Sequence, residues 1–163
     1  MRARVIITAS LLLCIFNSCQ KELEDPLDTP AGTTPNFNAK VSGVLFSATA
    51  YTATINKTDS IIYLLGTTTD GRQISFTVKD SGEHVYSLDF NSITNFGRYI
   101  DVNTDIFGTN GGASAVESGG NLAIVSIDPV KKLMSGTFNF RAFQDPAGPQ
   151  KIITEGVFHN IGY

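Results

Sequence analysis

The sequence predicts an all-β domain: a single antiparallel β-sandwich of about nine or ten strands, with a flattened up-and-down, calycin-like barrel as the alternative. Three observations carry this. Beyond Phe37, apolar and polar residues alternate with period two, the repeat of a half-buried strand. Turn signals built on Gly, Pro, Asn and Asp recur about every 8 to 12 residues. No stretch after Phe16 sustains a helical period over three turns. Connections this short favour antiparallel hairpins, because parallel pairing needs a long crossover.

The elements follow in order. Phe37, Ala39 and Val41 share one face, Asn38, Lys40 and Ser42 the other, and Gly43 marks a turn. Phe46 to Ile55 is rich in Thr, Ala and Tyr and reads as a strand. Ile61 to Thr67 is a β-branched and apolar run closed by Asp70-Gly71, a hairpin signal. Ile74, Phe76 and Val78 alternate with Ser75, Thr77 and Lys79. Ser81-Gly82 turns the chain into Val85 to Phe90, and Tyr99 to Phe107 alternates next. Gly111-Gly112 and Gly119-Gly120 frame a loop. Leu122 to Ile127 forms a strand ended by Asp128-Pro129. Phe138, Phe140 and Ala142 face one way in the next strand. The loop from Asp145 to Pro149 leads to Ile152 through Phe158. Rings at alternating positions supply the expected core, each contributing a few kcal/mol on burial.

Length and charge bound the rest. The chain has 163 residues, enough for one domain. Residues 1–18 carry Arg2 and Arg4; the remainder has ten basic and fifteen acidic residues, net −5. No basic patch appears, which argues against a nucleic-acid partner.

The N-terminus reads as an address. Arg2 and Arg4 precede an apolar run from Val5 to Phe16 broken only by Thr8 and Ser10. As a helix it would span about 18 Å, short of a bilayer core of about 30 Å. This is the pattern of a secretory signal peptide over residues 1–18. Phe16-Asn17-Ser18-Cys19 resembles the lipobox of bacterial lipoproteins, with a small residue before the cysteine. The resemblance implies cleavage before Cys19 and a diacylglyceryl group on its thiol. It also implies an acyl chain such as palmitate on its new amine, and so a membrane partner reached through Cys19. Cys14 is the rival position, but bulky Leu13 precedes it. One acyl chain binds a membrane only marginally, whereas several hold a protein firmly. If Cys14 leaves with the signal, Cys19 is the one remaining cysteine and no intrachain disulfide can form.

Lys21, Glu22, Glu24 and Asp25 follow. A lysine and acids just behind the lipid cysteine resemble the surface-export signal of Bacteroidota lipoproteins. The plainer reading is a solvated charged tether. Residues 19–36 form a linker with Pro26, Pro30 and Pro35, able to reach about 50 Å if extended. The β domain is assigned to 37–163.

The stretches "FNAKVSGVLFSA", "MSGTFNFRAF" and "KIITEGVFHNIGY" resemble a group of small Bacteroidota lipoproteins classed as a domain of unknown function. The shared motifs are core and turn residues: Gly43 and Phe46, Ser135-Gly136-Thr137-Phe138, and Gly156-Val157-Phe158. The resemblance implies a fold and a place in the cell envelope, anchored in the outer membrane. It implies no activity, cofactor or catalytic residue.

Candidate chemistry is sparse. Asp101, Asn103 and Asp105 have the spacing of a calcium loop, but Ile106 stands where that loop needs Gly and Gly112 where it needs Glu. The alternative is a strand face with Ile100, Val102 and Ile106 turned inward. His84 and His159 have no metal-ligand spacing. No serine-nucleophile elbow occurs, and Asp145 with Glu155 is an acid pair only if folding joins them. The Gly-rich stretch 108–120 lacks the Lys-Ser/Thr of a phosphate loop. Tyr51, Tyr63, Tyr86 and Tyr99 could build a sugar platform or be ordinary strand tyrosines. No catalytic residue, cofactor or metal is assigned. The expected function is a lipid-anchored, non-enzymatic binding or structural module with a glycan or protein ligand. The alternatives are a lipocalin-like carrier of a small apolar ligand, or a hydrolase.

Overall fold

A computed structural model describes residues 36–79, 82–110, 118–144 and 148–163. The signal, Cys19, the run from Lys21 to Asp25, and Asp145 lie outside the described residues. Eleven strands follow one another: β1 (Asn36–Val41), β2 (Val44–Ser47), β3 (Ala50–Asn56), β4 (Ile61–Thr67), β5 (Gln73–Lys79) and β6 (Val85–Leu88) come first. Then come β7 (Phe96–Ile100), β8 (Ile106–Gly108), β9 (Gly119–Asp128), β10 (Leu133–Phe143) and β11 (Gln150–Gly162). Among the described residues no helix is long and apolar enough to cross a membrane.

Every pairing is antiparallel, and the strands form one sheet that curls over itself. The branch point is β10. From Leu133 to Arg141 it pairs with β9; at Phe143 it pairs with Gly108 of β8. One leaf therefore runs β6-β9-β10-β11-β1-β2 and the other β8-β7-β5-β4-β3. At the second corner the chain changes leaf within two residues. Ala48 N–H donates to Phe37 O on β1, and Thr49 N–H donates to Thr67 O on β4. The result lies between a sandwich and a half-barrel.

Period-two patterning places the core between the leaves. In β4 and β5, Ile62, Leu64, Ile74, Phe76 and Val78 are buried. In the opposite leaf Phe37, Phe138, Phe140, Ile153 and Phe158 are buried. Phe76 bridges the two, its ring centroid 4.9 Å from Phe138 and 5.4 Å from Phe140. Phe37 lies on the backbone of β4 at Gly66, where a Cβ would meet its ring at 2.6 Å. Burying each such side chain contributes roughly 1.5–3 kcal/mol.

The curl has a local cause. In β11, three residue steps oppose two of β10 between Met134 and Gly136, and again between Phe138 and Phe140. The bulges fall at Asn160 and Glu155, both with left-handed backbones (φ 51° and 52°). A bulge bends its strand and sharpens the right-handed twist, which turns the central strand of this leaf around the core.

Several expectations are corrected. Phe46 to Ile55 is two strands, because its outer halves pair with different leaves. Tyr99 to Phe107 is also two, β7 and β8, with a turn at Asp101–Asp105. Val102 and Ile106 are therefore exposed, not inward. Gly119 and Gly120 begin β9, while Gly111-Gly112 lies outside the described residues. Gly119 and Gly120 pair with Arg141 and Phe140, and a Cβ on Gly120 would stand 2.2 Å from Asn139 O. The short breaks at 48–49 and 101–105 raise the nine runs read from the sequence to eleven strands.

Candidate functional site

Several aspartates serve to close turns. Asp101 Oδ1 accepts from the N–H groups of Asn103 (2.8 Å) and Asp105 (3.1 Å), while Gln144 Nε2 donates to Asp105 at 3.0 Å. Of the carboxylates that matched calcium spacing, Asp101 is thus engaged within the β7–β8 turn and Asp105 by Gln144 at the end of β10. Among the described residues no group of three His, Cys, Asp or Glu converges. Asp70 accepts from Arg72 Nε at 2.9 Å and from the Thr68 hydroxyl across the β4–β5 turn. These bonds hold its carboxyl at about 2, below the usual 3.8. Arg72 also reaches Leu45 O at 3.3 Å on the other leaf. Burial pushes the Tyr99 phenol up, against the opposing pull of Arg72.

The two histidines are not brought together. His84 is exposed and stacks on Tyr86, with ring centroids 3.9 Å apart. His159 is buried on β11, its Nδ1 3.3 Å from Ser135 Oγ on β10. The Asn160 amide nitrogen lies 3.1 Å from His159 Nε2, and Asn160 N–H donates to Ser135 Oγ at 3.0 Å. The pair fastens β10 to β11. Sequence spacing gave no sign of it, since the contact depends on strand pairing and a bulge. Glu155, also on a bulge, pairs with Lys40 at 2.7 Å in an exposed position.

The four tyrosines separate. Tyr86 and Tyr99 are buried, Tyr51 is half-buried, and Tyr63 is exposed on the outer face of β4. Tyr86 Oη accepts from Gly82 N–H and donates to Gly82 O. Tyr63 belongs to a different set. Strand register lines up Thr54, Tyr63, Thr77 and Phe96 in one row across β3, β4, β5 and β7. The next row is Thr52, Leu65, Ser75 and Arg98, and a third is Ala50, Thr67, Gln73 and Ile100. These side chains point away from the core, because their neighbours Ala53, Ile62, Leu64, Ile74, Phe76 and Tyr99 point into it. Tyr63 keeps 41% of its surface exposed. The guanidinium carbon of Arg98 stands 4.7 Å over the Phe96 ring. The three rows contain no carboxylate.

On the other leaf, a shallow groove of about 420 Å³ lies over β10 and β11, lined among others by Ser118, Asn139, Arg141, Ile152 and Thr154. A second, of about 370 Å³, lies beside Glu83 and His84. Sequence reasoning named Tyr63 only as one of four tyrosines, three of which lie elsewhere, and missed Phe96, Arg98 and the Thr rows. The period-two pattern was readable, but which strands lie side by side was not.

A family model described as a domain of unknown function, DUF6252, matches residues 33–162. No curated protein and no solved structure matches the chain.

Proposed function

Since the chain belongs to this family of domains of unknown function, we propose that it is a cell-envelope lipoprotein of Bacteroidota type: a non-enzymatic binding module held on the outer membrane by lipid on Cys19. The observation that carries the binding half is the outward face of β3-β4-β5-β7, where rows of hydroxyl, aromatic and guanidinium groups stand free of carboxylates. Recognition surfaces are enriched in Tyr and Arg, and such groups on a rigid sheet are pre-organised. The anchoring half is supported by the apolar run ending at Ser18-Cys19 and the proline-containing linker behind it. A linker of that composition holds a domain away from the bilayer, and Lys21, Glu22, Glu24 and Asp25 fit passage to the cell surface.

The alternatives are less well supported. A carrier needs inward side chains too small to fill the sheet, but Phe37, Phe76, Phe138 and Phe140 meet across the middle. A hydrolase needs acids or a histidine converging in a cleft. His159 is buried against Ser135 between β10 and β11, Asp70 and Asp101 close turns, and Asp105 holds Gln144.

Palmitate labelling of cells expressing wild type, Cys19→Ala and Cys14→Ala tests the anchor. Label is expected in wild type and Cys14→Ala and not in Cys19→Ala. Label retained by Cys19→Ala would overturn the assignment.

A further inference from the structure

We propose that the outward face of β3-β4-β5-β7 binds an anionic polysaccharide, a uronate polymer laid across the strands, with Tyr63 as the stacking ring and Arg98 as the carboxylate anchor. This rests on the reading of the domain as a binding module and names its ligand class.

The row through Thr54, Tyr63, Thr77 and Phe96 alternates hydroxyl and ring. Neighbouring strands are about 4.8 Å apart, so its two rings stand roughly 10 Å apart. That spacing suits every second sugar of an extended chain running perpendicular to the strands. A pyranose ring offers C–H groups to an aromatic face and hydroxyls at its rim, and Thr54 and Thr77 lie on either side of Tyr63 to meet them. Beside this row, Thr52, Leu65 and Thr67 line a hollow of about 130 Å³, room for a substituent on the chain.

Charge selects an acidic sugar over a neutral one. Arg98 has a cation–π contact to Phe96 and no carboxylate partner among the described residues. The Phe96 ring fixes where the guanidinium sits, and its planar fork matches a carboxylate with two parallel hydrogen bonds. Lys79, exposed at the end of β5, adds a second positive charge at the margin. The whole chain is net −3, so three rows that hold Arg98 and no carboxylate are a local inversion of the overall charge. A protein partner would instead need an apolar centre with polar groups at the rim. Here Leu65 sits between Thr52 and Ser75 in its row.

The test uses the full chain in detergent micelles and affinity electrophoresis through gels containing polygalacturonate, or the same polymer fully methyl-esterified. Wild type is expected to be retarded by the acid polymer and not by the ester, with retardation falling as salt rises. Arg98→Ala is expected to weaken retention about tenfold or more. Arg98→Lys should fall between wild type and Arg98→Ala, because it keeps charge and loses the fork. Tyr63→Ala should also weaken retention, while Arg141→Ala, on the other leaf, should not. Unchanged thermal melting of each variant shows that the fold is intact. Equal retention by the ester would overturn the acidic class and leave the module reading standing. Retention lost in Arg141→Ala but not in Arg98→Ala would overturn the face assignment alone. No retention of wild type overturns the proposal. Concentration-dependent dimers abolished by Tyr63→Ala would also overturn it, assigning the face to a second copy.

Discussion

Phe138 on β10 lies against Gly156, its direct partner on β11, so closely that a Cβ at position 156 would stand 2.2 Å from its ring. The relationship is reciprocal. Phe158 of β11 covers Gly136 of β10, where a Cβ would meet that ring at 2.5 Å and Ala123 O at 2.1 Å. Each ring thus fills the space its partner glycine leaves open. Gly156→Ala is expected to cost about 1–3 kcal/mol, the usual penalty for overpacking a buried site. Denaturant unfolding of the full chain checks this. In a Phe138→Leu background the penalty should shrink, because the two residues share one space. Equal penalties in both backgrounds would mean that ring and glycine are not coupled.

Phe76 joins the leaves and is 1% exposed. Phe76→Ala is expected to destabilise by about 3–5 kcal/mol, since it removes contacts with both Phe138 and Phe140. Ile93→Ala, at a position 88% exposed, should change stability by less than about 0.5 kcal/mol. The difference in unfolding midpoints between the two variants checks the placement of the core.

The Asp70 carboxyl is held at about 2, against 3.8 ordinarily, by Arg72 and Thr68. Its folded value is depressed, so its contribution is present above the unfolded value and is lost as pH falls from about 4 through 2. The site is exposed, which keeps the effect small. Melting temperature measured from pH 5 to pH 2 should fall less steeply in Asp70→Asn than in wild type. Identical slopes would contradict the assigned bonds.

Asp101 closes the β7–β8 turn by accepting two backbone N–H groups. Asp101→Ala is expected to lower stability by about 1 kcal/mol. Calcium should leave the melting temperature of wild type unchanged, because a ligand stabilises only the state that binds it. A calcium-dependent rise that disappears in Asp101→Ala would restore the metal reading.

Much of this fold was legible in the sequence. The alternation of Phe37, Ala39 and Val41, and of Ile74, Phe76 and Val78, placed those side chains in the core. The motifs at 135–138 and 156–158 stood out before their purpose was visible, because mutual Gly–Phe coverage requires knowing that β10 pairs with β11. The leaf switch at Ala48-Thr49 was hidden, since an alternating strand reads the same whether it keeps one partner or changes it. The outward face was hidden for a similar reason. Tyr63 and Phe96 are 33 positions apart and fall in one row only through the register of β4, β5 and β7. The bulges at Glu155 and Asn160 rest on left-handed backbones at non-glycine residues, where sequence gives little signal.

The most direct test is the mass of the N-terminal peptide of the mature protein isolated from its native membrane. A peptide that begins at Cys19 and carries diacylglyceryl and acyl groups is the expected result. An unmodified Cys19, or a chain cleaved elsewhere and recovered free of the membrane, would contradict the assignment of this domain as a lipid-held envelope module.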